Sequence, residues 1–174
     1  MKNVIISWVL IFTCGGAYAG QAETDKFYTF RTLSFEMASK VAHAALYGCR
    51  EQGYSVAVAV VDRGGNLQVL LRDWLAGPHT PETARRKAWT ANSFHQSTAE
   101  LADFLQKGLI PSQVQHNPGA LLTGGGVMIR SEGELLGAVG VAGAPPGQSE
   151  RDSIDGACAQ IGIDKIQEDL DFGG

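Results

Sequence analysis

The stretch SVAVAVVDRGGNLQVLLRD, residues 55–73, leaves this chain few folds to choose from. Two β-rich runs, 56–61 and 67–71, flank Gly64-Gly65, whose freedom at positive φ suits a tight hairpin turn. A parallel pair would need a crossover of about a dozen residues, so the two strands are predicted to be antiparallel neighbours. Farther on, ALLTGGGVMIRSEGELLGAVGVAG (120–143) holds three short apolar runs, punctuated by Gly124 to Gly126 and by Ser131-Glu132-Gly133-Glu134. These form a second antiparallel set.

Helical spacing occupies the remainder. Ala38, Val41, Ala42, Ala45 and Cys49 recur on one face behind a Ser34 cap, and the alanines let this helix lie close to a sheet. A second helix starts near Thr80. Ser97-Thr98-Ala99-Glu100 is a capping box that opens a third, burying Leu101, Phe104 and Leu105, with a kink between the two. After a polar loop from Pro111 to Pro118 and the last strands, a closing helix carries Ile154, Ala157, Cys158 and Ile161. Strands and helices do not alternate as a doubly wound parallel sheet requires. The expectation is an α/β (α+β) domain, an antiparallel sheet of about five strands with flanking helices.

The chain opens MKNVIISWVLIFTCGGAYAG, with Lys2, an apolar run from Val4 to Phe12, and Ala17-Tyr18-Ala19 as an A-x-A cleavage site. This reads as a secretory signal peptide over residues 1–19, leaving 20–174 as a single domain in the periplasm or outside the cell. The apolar run is short of the ~18 to 20 residues that span a bilayer, so no membrane insertion is expected after cleavage. Removing the leader takes away Lys2 alone, which makes the formal charge one unit more negative than −4 and argues against a nucleic-acid partner. Cys49 and Cys158 remain, too few for a disulfide framework but exposed to an oxidising compartment.

The segment LAGPHTPETARRKAWTA, residues 75–91, carries the candidate site. His79 stands directly before a helix start, Thr80 is placed to cap, Pro81 fits the first helical position, and Glu82 complements the helix dipole. Unpaired N–H groups at such a start attract anions, and Arg85, Arg86 and Lys87 follow within a turn. Helical spacing sends these cations in different directions and a charge run is usually a solvated face, so at most one or two of them, Arg86 or Lys87, answer a ligand's carboxylate. His79, Thr80, Glu82, Arg86 and Lys87 are therefore the expected wall of a small-molecule site, with His116 a second histidine nearby. His95 shares a face with Ala84, Ala88 and Ala91, and is read with His43 as a satisfied, partly buried side chain. Gly124 to Gly126 lacks the lysine of a phosphate loop and reads as a strand connection, while Gly137, Gly140 and Gly143 permit close packing of a helix or a neighbouring subunit. No catalytic constellation is recognisable, so the catalytic residues are unknown.

Five segments then occur in order: VAVVDRGGNLQVLLRD, AGPHTPETARRKAWTANSF, TAELADFL, LLTGGGVMI and GAVGVAGAPPGQSERD. Together, from about Leu33 to Ile166, they resemble the GlcG/HbpS-like family, the haem-degrading or DUF336 domain. The resemblance implies a profilin-like fold, assembly into homo-oligomers, and kinship with extracellular haem-binding proteins. Two positions depart from haem- and iron-binding relatives: a Glu-x-x-Glu pair reads Glu82-Thr83-Ala84-Arg85 here, and a threonine after Pro-Gly is replaced in Pro118-Gly119-Ala120. In their place His79 or His116 is offered as an axial ligand to haem iron, imidazole being a common one. This fold tends to put the first and last helices on the same side of the sheet, so Cys49 and Cys158 are either bridged or two small core residues. Three functions follow: an exported binder of haem or another anionic small molecule, an enzyme that degrades haem or acts on a small organic acid, or a scaffold or sensor subunit.

Overall fold

The computed structural model describes residues 27–149 and 152–172, so the expected leader lies outside the described residues. In chain order the elements are α1 (Phe35–Glu51), β1 (Ala57–Asp62), β2 (Leu67–Arg72), α2 (Thr80–Phe94), α3 (Thr98–Gln106), a 3-10 turn (Ser112–His116), β3 (Gly126–Ser131), β4 (Glu134–Ala142), α4 (Ile154–Asp164) and α5 (Gln167–Phe172). The strands form one antiparallel sheet in the order β2-β1-β4-β3. The hairpin expected around Gly64-Gly65 joins β1 to β2, with Gly65 at φ 82° and the Asp62 carboxylate accepting the Asn66 N–H at 2.8 Å.

The sheet has four strands where about five were expected. The missing one is the run at Leu121-Leu122, which pairs with no strand. Its backbone is claimed by a helix instead: the Leu121 N–H donates to the Thr90 hydroxyl of α2 at 2.9 Å.

β1 sends successive side chains to opposite faces of the sheet, as strand geometry requires. Val56, Val58 and Val60 join the main core with α1, α4, Val139 and Val141. On the opposite face Ala57 and Ala59 meet Ala84 of α2, and Val61 meets Ala88, Ala91 and Ala138. Small residues on both partners bring α2 down onto the strands. The approach is closest at Gly140, where a Cβ would lie 2.1 Å from the Ala84 carbonyl oxygen. Of the two partners expected for Gly137 and Gly140, a helix or a neighbouring subunit, the strand's own chain takes the place: β4 is buried from Leu135 to Ala142 between the helical layers. Its glycines serve contacts within the chain.

Cys49 near the end of α1 and Cys158 in the middle of α4 are joined by a disulfide, with Cα atoms 5.4 Å apart. Both helices lie on the valine face of the sheet, and each cysteine is fully buried there. Serine caps open three helices: Ser34, Ser97 and Ser153 accept from the backbone N–H groups of Met37, Glu100 and Gly156.

Candidate functional site

α2 begins without a side-chain cap. Thr80, expected to cap it, is 2% exposed, and both its N–H (3.0 Å) and its hydroxyl (2.8 Å) donate backward to the Gly77 carbonyl. Thr80 therefore closes the Gly77–Thr80 turn and is withdrawn from any ligand wall. The turn is tied forward as well, since the Thr83 hydroxyl donates to the His79 carbonyl at 3.0 Å. His79 itself is exposed, and its imidazole has no hydrogen-bond partner among the described residues.

Beside His79 lies a cleft of about 620 Å³, between the first turns of α2, Thr123-Gly124 and the 143–149 loop, with Asp155 of α4 also in its wall. Lys87 lines it too, yet its charge is already committed. The side chain is 4% exposed, and Nζ donates to Asp155 Oδ2 at 2.8 Å and to the Val141 carbonyl at 3.0 Å. The other Asp155 oxygen accepts the Ala144 N–H at 3.0 Å. The expectation that Lys87 meets a ligand's carboxylate gives way to an internal ion pair, because a buried charge is tolerable only when paired and hydrogen-bonded. Spacing held the clue: Lys87 follows Ala84 by three and precedes Ala91 by four, which places it on the stripe that faces the sheet.

The other two cations are engaged elsewhere. Arg86 donates to the carbonyls of Gly119 and Ala120 and so fixes the chain after the 3-10 turn, rather than facing a ligand as expected. Arg85 forms a bidentate pair with Glu82 at 2.8 and 2.6 Å. That hydrogen-bonded pairing holds the Glu82 carboxyl below its ordinary pKa and raises the Arg85 guanidinium, so Glu82 is spent on its neighbour one helical turn away. His116 ends the 3-10 turn, exposed, and is not among the residues around the His79 cleft. His95 is exposed rather than partly buried, because α2 stops at Phe94 and His95 leaves it in the left-handed region at φ 54°. His43 is exposed and satisfied, its Nδ1 2.8 Å from the Ser39 carbonyl.

Of the residues expected in one site, the structure thus leaves His79 at the cleft with its ring unengaged, and directs Thr80, Glu82, Arg86 and Lys87 to partners inside the chain. Among the described residues no three His, Cys, Asp or Glu side chains cluster as a metal site would require. No described helix is long and apolar enough to cross a membrane.

Residues 33–164 match the family model described as "Haem degrading protein HbpS-like". A double mutant of HbpS from Streptomyces reticuli has a crystal structure similar to this chain, with 36% identity and a TM-score of 0.72 over 83% of this chain and 93% of that one. The crystal structure of a PduOC:haem complex is similar at 31% identity and a TM-score of 0.67, covering 78% of this chain and 95% of that one. The corrinoid adenosyltransferase PduO of Citrobacter freundii is 32% identical over 134 residues, which are 76% of this chain but 40% of the relative's length.

Proposed function

The chain belongs to the HbpS-like family of haem-degrading proteins, and from that premise we propose that it is an exported, homo-oligomeric haem-binding protein in which His79 supplies the ligand to iron. The observation that carries this reading is the imidazole of His79, exposed at the edge of a cleft of about 620 Å³ with no internal partner. Imidazole nitrogen suits haem iron, and the bound group would contribute a redox-active metal within a broad apolar plane. Ala144, Pro145 and Pro146 of the cleft wall offer apolar contact to such a plane. The bound haem in a similar PduOC structure supports the ligand class.

A free small anion is the weaker ligand, since Arg85 and Lys87 are ion-paired within the chain and Arg86 is turned to the Gly119 and Ala120 carbonyls outside the cleft wall. Binding is also favoured over turnover. The buried charges of the cleft, Lys87 and Asp155, neutralise each other, so neither stands ready as a base or a nucleophile. The adenosyltransferase activity named for PduO is not carried over, because the match spans less than half of that protein.

Haem titration tests the reading. His79→Ala should move the Soret maximum and weaken binding, whereas His116→Ala should leave both unchanged. An unaltered spectrum and affinity in folded His79→Ala removes His79 from the site. A Soret band that decays with reductant and oxygen would replace the binder with an enzyme. Export predicts an N-terminus at Gly20, and oligomerisation predicts a sedimenting species larger than the protomer at micromolar concentration; an uncleaved chain or a monomer overturns the corresponding part.

A further inference from the structure

Gly77 has no backbone reason to be glycine. Its φ lies outside the left-handed region that favours this residue, unlike Gly65 or Gly125. What distinguishes it is the ring above it. A Cβ at position 77 would stand 2.8 Å from Cε1 and 3.0 Å from Nδ1 of His79, with Nε2 farther off at 3.8 Å. The imidazole is folded back over its own turn, its Cε1 and Nδ1 atoms in the space a side chain at 77 would take and Nε2 the farthest of the three. The backbone has little freedom to relieve such a contact: the Gly77 carbonyl accepts two bonds from Thr80, and the His79 carbonyl accepts from Thr83.

We infer that Gly77 is a positioning residue for His79, admitting the imidazole to an orientation folded over its own turn, because the absent side chain is the space the ring occupies. The inference rests on His79 being the ligand contact for its functional consequence, but the placement of the ring is a separate matter and is read separately. Any side chain at 77 must displace the imidazole from this position, since the ring is the movable partner and the pinned turn is not.

Gly77→Ala tests it, and the ordinary φ at this position lets alanine fold there. In the ligand-free protein, Gly77→Ala should shift the His79 ring resonances in a histidine-edited NMR spectrum while those of His43 and His116 stay in place. With haem added, it should weaken affinity roughly 10- to 100-fold, the usual cost of losing a group that orients a metal ligand. It should also move the Soret maximum toward that of His79→Ala and have no further effect when combined with His79→Ala. Unchanged His79 ring resonances overturn the inference. So does wild-type haem affinity in Gly77→Ala when His79→Ala has lost it. Shifted ring resonances beside a His79→Ala protein that binds haem normally uphold Gly77 as the positioning residue and refute the haem ligand, so the two readings fail separately.

Discussion

Asp73 shows how a single residue's neighbours set its charge. It is 3% exposed, yet its carboxylate accepts from Arg50 Nε at 2.9 Å and from the Trp74 N–H at 2.7 Å. The Arg50 hydrogen bond is the largest influence, and it holds the Asp73 pKa below its ordinary value against the opposing effect of burial. A depressed folded pKa means that the stabilisation is fully present above the unfolded value of about 3.9 and is lost as pH falls through the folded value. Asp73→Asn should therefore lower the urea midpoint at pH 7, and its gap to wild type should narrow well below pH 4; an equal gap at both pH values would assign the loss to packing. His95 offers the opposite case, a non-glycine side chain in the left-handed region at φ 54°. His95→Gly should stabilise the protein by about 0.5–1 kcal/mol in denaturant unfolding, the relieved strain exceeding the added freedom of the unfolded chain. Helical spacing carried past Phe94 made His95 look partly buried, because the periodicity continues where the helix does not. The same spacing read with Ala84 and Ala91 would have turned Lys87 inward, but a run of three cations looks like a solvated face until the buried Asp155 opposite is known.

Among the elements, α2 has the tightest fit, and it is glycine that admits it. A Cβ at Gly140 would meet the Ala84 oxygen at 2.1 Å and the Ala88 nitrogen at 2.5 Å, both backbone atoms of a helix that has nowhere to retreat without opening the alanine face. Gly140→Ala should cost about 3 kcal/mol or more in equilibrium unfolding and disturb the cleft through the displaced start of α2. A loss under about 1 kcal/mol would show the helix to be loosely seated. Much of this architecture was legible in local signals. The Gly64-Gly65 hairpin, the Ser34 cap and the capping box at Ser97 depend on residues close in sequence, and they stand where they were expected. The extra strand at Leu121-Leu122 was misread because apolarity and flanking glycines describe a strand equally well whether or not a partner exists. The decision belonged to Thr90, 31 positions away. Gly140 was recognised as a packing glycine, but its partner, helix or subunit, was not encoded nearby.

At the scale of the molecule the disulfide does the most with the least. Cys49 and Cys158 stand 109 residues apart in sequence, and closing a loop of that length lowers the entropy of the unfolded chain enough to stabilise the fold by about 4–5 kcal/mol. Replacing both cysteines by alanine should lower stability by that order. Unreduced protein beginning at residue 20 should show no titratable thiol in denaturant; two thiols there would mean that the pair is not bridged in solution. All four strands lie between the bridged positions, so the bond makes a covalent ring of the whole sheet with α2 and α3 included. A protease that cuts the exposed stretch around Lys107 to His116 would break the peptide chain without freeing a piece. The nicked molecule should run as one species until a reductant is added and then separate into two, and until that moment both halves of the His79 cleft remain tethered to each other.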